Sequence, residues 1–180
     1  SINTNMADDE YIPDSTYKIT VSYSESGKSK FGFMSTTLTS SGNNRAGSYT
    51  VTNSTKTARN TTNVNSKTRE YIYHKSAGTS GSGGTSWDFE WTAPSKNEGD
   101  VKFYLAVNST NSGNNSSGDK IILKNFEFSP SKKLPVAKIT ASATICEGDT
   151  LILDGTSSLR TTGYTWKVNG GAWTKNKKDS

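Results

Sequence analysis

Residues 86–94 read SWDFEWTAP and set Trp87, Phe89 and Trp91 at every second position of a chain otherwise rich in small polar residues. That period places the three rings on one face of a strand and Asp88 and Glu90 on the other. Pro94 ends the strand, because proline has no N–H for the ladder. Burying one aromatic side chain of roughly 150–250 Å² is worth several kcal/mol at about 25 cal/mol per Å². Few other large apolar residues exist to fill an interior, so the rings are expected to be core rather than a ligand platform.

The surroundings of this stretch agree with it. Ser, Thr, Asn and Gly supply 84 of the 180 residues, a composition that favours strands and turns over helices. Period-two alternation recurs over residues 17–24, 30–38, 48–53, 69–75, 86–93, 100–108 and 120–129. Seven strands at this spacing predict an all-β fold, an antiparallel β-sandwich. Residues 130–135 break the pattern and read as a linker between a sandwich over 1–129 and a second β unit over 136–180. With about 45 residues, that unit falls short of the roughly 100 of an immunoglobulin-type sandwich and is expected to be incomplete.

Charge and cysteine content exclude several classes. Residues 1–129 carry 13 Lys and Arg against 12 Asp and Glu, while 130–180 carry 8 against 4. The basic excess sits in the linker and tail, so no nucleic-acid partner is expected. Cys146 is the single cysteine and can form no internal disulfide. No apolar run reaches the roughly 20 residues of a membrane span. The chain opens at Ser1 with no signal peptide, which reads as removal of an upstream segment.

The motifs YIPDSTYKITVS, KFGF, AGSYT, YIYHKSAGTSGSG, SWDFEWTAP and GDVKFYLAVNSTNSGNNSSGD occur in this order between about Tyr11 and Phe128. In that order they resemble the reeler-type domain in its bacterial, choice-of-anchor V form. The resemblance implies eight or nine strands, so one further strand is expected within residues 54–68. From Val136 onward, ICEGDTLILDGTSS and YTWKVNGG are similar to PKD or immunoglobulin-like modules of surface proteins exported by the type IX route. Trp166 would then take the buried strand position. Bacterial relatives of the first module often carry a C-x-x-C-H haem element just upstream; no such motif occurs in this sequence, and no cofactor is expected within it.

Catalytic material is thin. His74, the single histidine, shares a face with Ile72 and opposes Tyr71 and Tyr73, which favours a structural role over a catalytic one. The acidic run Asp8, Asp9 and Glu10, with Asp14, offers oxygen ligands for calcium, but a mobile, solvated N-terminal segment is the stronger reading and no metal is expected. Asp88 and Glu90 have the chemistry of a glycosidase pair without a second pair or a cleft. Tyr49, Tyr71, Tyr73 and Tyr104 lie off the tryptophan face and are the aromatic candidates for a carbohydrate platform.

Binding residues concentrate in loops. If consecutive strands alternate in direction, loops 39–47, 76–85 and 109–118 emerge at one end, with Asn43, Asn44 and Arg45 as the best-equipped part of a ligand-binding rim; an extra strand within 54–68 would break that parity. Thr150 in Asp-Thr-Leu, and more loosely Ser15, resemble bacterial O-glycosylation acceptors. The expected function is that of a non-catalytic, extracellular module of a larger surface or secreted protein, serving adhesion, spacing or contact with a cell-surface protein or glycan. Its alternatives are a carbohydrate-binding accessory domain of a secreted enzyme and a surface redox protein with haem upstream.

Overall fold

The computed structural model describes residues 1–110 and 118–132, positions 154, 157 and 158, and the backbone of 163–166 and 174–177. The chain divides into two compact units, Ser1–Pro130 and Ser131–Ser180. The first contains ten strands: β1 (Ile2–Thr4), β2 (Glu10–Tyr11), β3 (Thr16–Ser24), β4 (Lys30–Thr39), β5 (Ser48–Thr50), β6 (Thr57–Val64), β7 (Lys67–His74), β8 (Gly84–Thr92), β9 (Val101–Thr110) and β10 (Lys120–Pro130). The helical content of the described residues is one 3-10 turn, Ser76–Gly78.

Two sheets form the sandwich. One has the order β1-β3-β8-β5 and the other β2-β10-β9-β4-β7-β6. All seven strands expected from alternation are present, and β6 lies inside the segment where one more was anticipated. Strands β1 and β2 correct the N-terminal reading in part: residues 2–4 and 10–11 are paired into the sheets, while Asp8 and Asp9 are exposed between them. Strand β1 joins β3 antiparallel, and β2 runs parallel to the end of β10. Met6 and Tyr11 are buried there, while Asp8, Asp9 and Asp14 take positive φ in the connecting turns, a conformation Asp tolerates better than most residues.

The rings of β8 lie between the sheets. Trp87, Phe89 and Trp91 are at most 1% exposed, and Ile19, Val21 and Tyr17 of β3 continue their layer. From the opposite sheet, Phe33 meets Trp87 at 4.7 Å between ring centroids, and Phe103 meets Trp91 edge-on at 5.0 Å. Each indole N–H is satisfied: Trp87 Nε1 donates to the Gly78 carbonyl at 2.7 Å and Trp91 Nε1 to the Ala46 carbonyl at 3.1 Å. Gly47 has φ +70 and packs so closely on Trp91 that a Cβ there would stand 2.7 Å from Nε1. Glycine meets both demands at once.

In the second unit, β11 (Gly163–Trp166) and β12 (Thr174–Lys177) form an antiparallel hairpin. Residues 167–173, between the two strands, lie outside the described residues. The candidate acceptor Thr150, Cys146 and the side chain of Trp166 lie outside the described residues.

Candidate functional site

Strand register decides which loops meet. Lys30 pairs with Thr110 and Thr39 with Val101, while Lys30 also bridges Ser80. Loop 76–83 and the end of β9 therefore share one end of the sandwich with the β3–β4 turn. Loop 40–47 emerges at the opposite end, beside the β8–β9 connection. The expected three-loop rim is thus split, and β6 is the cause: one uncounted strand reverses the parity of everything after it.

At its own end, the rim triad serves the fold in part. Asn43 takes φ +51 in the turn, and the Asn44 backbone closes the loop on Thr39 through N–H and C=O. Arg45 Nε donates to the Gly47 carbonyl at 3.0 Å, and its Nη2 lies 3.6 Å from Glu70. Glu70 went unnoticed in the sequence. Its side chain is 2% exposed, bonds Arg59 Nη1 at 2.7 Å and accepts the Tyr49 N–H at 3.2 Å. A buried carboxylate requires such partners.

Tyr49 leaves the list of platform candidates. It is buried, its hydroxyl meets Thr37 Oγ1 at 2.6 Å, and burial raises its pKa well above the ordinary tyrosine value. Tyr71, Tyr73 and Tyr104 do share the outer face of the six-stranded sheet. There a cross-strand row runs Leu123, Ala106, Met34, Tyr73, Ala58 over β10, β9, β4, β7 and β6. On the outer face of the other sheet, Asp88 Oδ1 accepts the Thr20 hydroxyl at 2.6 Å. Ser15 is half-buried, and its carbonyl accepts the Ala93 N–H at 2.9 Å. Among the described residues, no three of His, Cys, Asp and Glu gather so as to hold a metal.

One concave surface lies at the end bearing the β3–β4 turn. Loop 76–83 is laced to that turn through backbone bonds: Phe31 N–H to Thr79 O at 2.7 Å, Glu25 N–H to Gly83 O at 2.9 Å, Gly83 N–H to Lys28 O at 2.9 Å and Gly81 N–H to Ser29 O at 3.1 Å. Between them runs a groove of about 720 Å³ formed by residues 26–30 and 80–83. Lys30 also borders a smaller notch of about 320 Å³, lined by Phe31, Gly32, His74, Thr79, Asn108 and Thr110.

The notch owes its shape to an interrupted ladder. Pairing of β7 with β4 covers Met34 with Tyr73 and Ser35 with Ile72. Beyond it, the His74 ring takes the place of backbone: Nδ1 lies 3.0 Å from the Phe33 N–H and 2.9 Å from the Phe33 carbonyl. The ring lies over Gly32, where a Cβ would come within 2.6 Å of Cε1. His74 is therefore structural, as expected, and also forms one wall of a cavity.

The profile of the Reeler domain family matches residues 2–112. Among solved structures, fragment 2 of the human F-spondin reeler domain is similar at 17% identity and a TM-score of 0.50, over 73% of this chain and 91% of that one. The Reelin-N domain of F-spondin is similar at 17% identity and a TM-score of 0.49, over 73% and 86%. At such identity the first likeness bears on the fold alone. Comparison with curated proteins gives no match.

Proposed function

This chain belongs to the Reeler domain family, and from that premise we propose that it is a non-catalytic, extracellular recognition module of a larger surface or secreted protein. It contacts its partner through the laced end of the sandwich. The observation that carries the reading is the pair of concavities joined at Lys30 and framed by backbone bonds between loop 76–83 and the β3–β4 turn. A preformed polar surface loses little conformational freedom on binding. In the notch the Thr79 hydroxyl donates to the Ser76 carbonyl and His74 Nδ1 bonds the Phe33 backbone rather than that hydroxyl, which favours binding over chemistry. The motifs after Val136 extend the reading to tandem architecture, with the second unit as a PKD-like or immunoglobulin-like module of a protein exported by the type IX route.

The test is binding of the fluorescently labelled chain to an array of immobilised glycans and to cell surfaces. Ser82 is exposed on the groove wall, so Ser82→Trp fills the groove without touching the core. The expected result is lost binding with unchanged circular dichroism. Binding equal to that of the parent would remove the groove as the contact surface.

A further inference from the structure

Strand β10 offers backbone as well as side chains to a partner. It is next to last in its sheet, and the border strand β2 pairs with Ser129 and Pro130 alone. On its other side β9 pairs with Lys120–Phe128 in one unbroken register. Among the described residues, no strand therefore lies along the outer edge of that length. Two bonds fix which backbone groups point there. The Ser129 N–H donates outward to the Asp9 carbonyl at 3.1 Å, and next to Val101 on β9 the Asp100 carbonyl accepts the Ser40 N–H at 2.7 Å from the β4 side. Antiparallel ladders alternate bonded and non-bonded pairs, so Ile121, Leu123, Asn125 and Glu127 turn both N–H and C=O away from β9.

The side chains mark the same edge. Ile121 and Leu123 are 68% and 75% exposed, the most of any large apolar residue described. Ile122 and Phe126, on the other face of the strand, are partly buried against the core. Beyond Phe126 a groove of about 430 Å³, with Ile2, Met6 and Phe128 among its walls, lies between β10 and β1, a border strand of the other sheet. A strand laid along the edge would pair the outward backbone groups and cover Ile122 and Phe126 from the side. Unpaired edges of this kind are templates for a further strand.

Charge selects the strand. Lys120 lies 2.8 Å from Glu25, and Lys102 lies 3.5 Å from Glu127. Between them Lys124 is exposed and forms no ion pair with a described residue. It shares the inner face with Leu105, opposite it on β9, and a lysine so placed guards an edge against unsuited strands. In the antiparallel register that pairs 121–127 with the same segment of a second copy, Ile121 faces Glu127, Leu123 faces Asn125 and Lys124 meets its own counterpart. Like charges directly opposite are destabilising, whereas a carboxylate there is favourable.

We propose that the free edge of β10 over residues 121–127 binds an extended segment of a partner protein as an added strand, with an acidic side chain of that segment opposite Lys124. This contact adds to the one at the laced end and does not depend on it.

The probes are two end-blocked peptides, Thr-Val-Thr-Glu-Thr-Val-Thr and Thr-Val-Thr-Lys-Thr-Val-Thr, whose sequences read alike in both directions and so fit either strand polarity. Titrated into the intact chain, the Glu peptide should shift the amide signals of Ile121, Leu123 and Asn125 and bind at least about threefold more tightly than the Lys peptide. Lys124→Glu, a change at an exposed position, should reverse that order. N-methylation of the two valines blocks one edge of the peptide and N-methylation of the inner pair of threonines the other; one modification should abolish binding and the other keep it, because a single edge faces β10. Absence of shifts with both peptides up to about 20 mM overturns the inference, as do equal affinities of the two peptides for the parent chain or equal loss from both methylations. Sedimentation of the parent chain as a dimer that binds neither peptide also overturns it, in favour of a second copy. Glu-peptide binding that persists in Ser82→Trp upholds the edge whatever the glycan array shows, and its loss in that variant overturns the edge in favour of the laced end.

Discussion

Replacing Trp91 with alanine tests the central assignment of the fold. The ring is fully buried, packs edge-on to Tyr11 at 5.9 Å and Phe103 at 5.0 Å, stacks on Tyr17 at 6.1 Å and donates to the Ala46 carbonyl. Core Trp→Ala changes cost about 3–5 kcal/mol, and an orphaned carbonyl adds about 1–3 kcal/mol. A domain of this size has about 5–15 kcal/mol in total, so Trp91→Ala should remove most of it. In urea titrations followed by near- and far-ultraviolet circular dichroism, the midpoint should fall by at least about 2 M, taking a slope of about 2 kcal/mol/M. Trp91→Phe keeps much of the ring burial but loses the N–H, and should fall in between. A Trp91→Ala protein with its midpoint within about 0.5 M of the parent and an unchanged slope would refute the core reading and return the ring to the candidates for ligand contact.

Two further outcomes follow from buried polar groups. Arg59 bonds Glu70 at 2.7 Å and Arg45 stands at 3.6 Å, so Arg59→Ala should cost about 2–4 kcal/mol and Arg45→Ala less than about 1 kcal/mol; equal losses by urea denaturation would disprove the ranking. Burial raises the pKa of both Tyr49 and Tyr11 above the ordinary value of 10.0. Their neutral phenols thus favour the folded state fully below that pH, and the contribution disappears as pH rises above it. Phenolate absorbance should show these two tyrosines ionising only with alkaline unfolding, and Tyr49→Phe should flatten the alkaline loss of stability. A full tyrosine titration in the folded protein would contradict this.

The legible parts of the sequence were those where one face is dry and the other wet. Strand β9, VKFYLAVNST, alternates buried and partly exposed residues along its whole length, as its sequence pattern predicts. Strand β6 does not: TARNTTNV forms a sheet edge and is exposed at nearly every position, so no alternation marks it. Omitting that strand misplaced loop 39–47, because an error of one strand inverts every later end. Glu70 was hidden for a different reason. A carboxylate within KTREYIYH reads as solvated, and the arginines that make its burial tolerable lie 11 and 25 positions earlier in the chain. Tyr49 sits in a three-residue strand, too short for its facing to be read. The notch arises from tertiary placement, since Gly32, His74 and Asn108 come from three strands.

The N-terminal residues have a mechanical consequence. Ser1 bonds Ser22 toward the end that carries the β3–β4 turn, while Pro130 leaves beside Tyr11 at the other end. Tension between these two points runs along the strands. It pulls β2 lengthwise past its parallel neighbour β10 and β1 lengthwise past β3, so the rungs of each pair are loaded together in shear and do not open one after another as in peeling. The sandwich is thereby built to bear load along its long axis, with its first eleven residues acting as a clamp on both sheets.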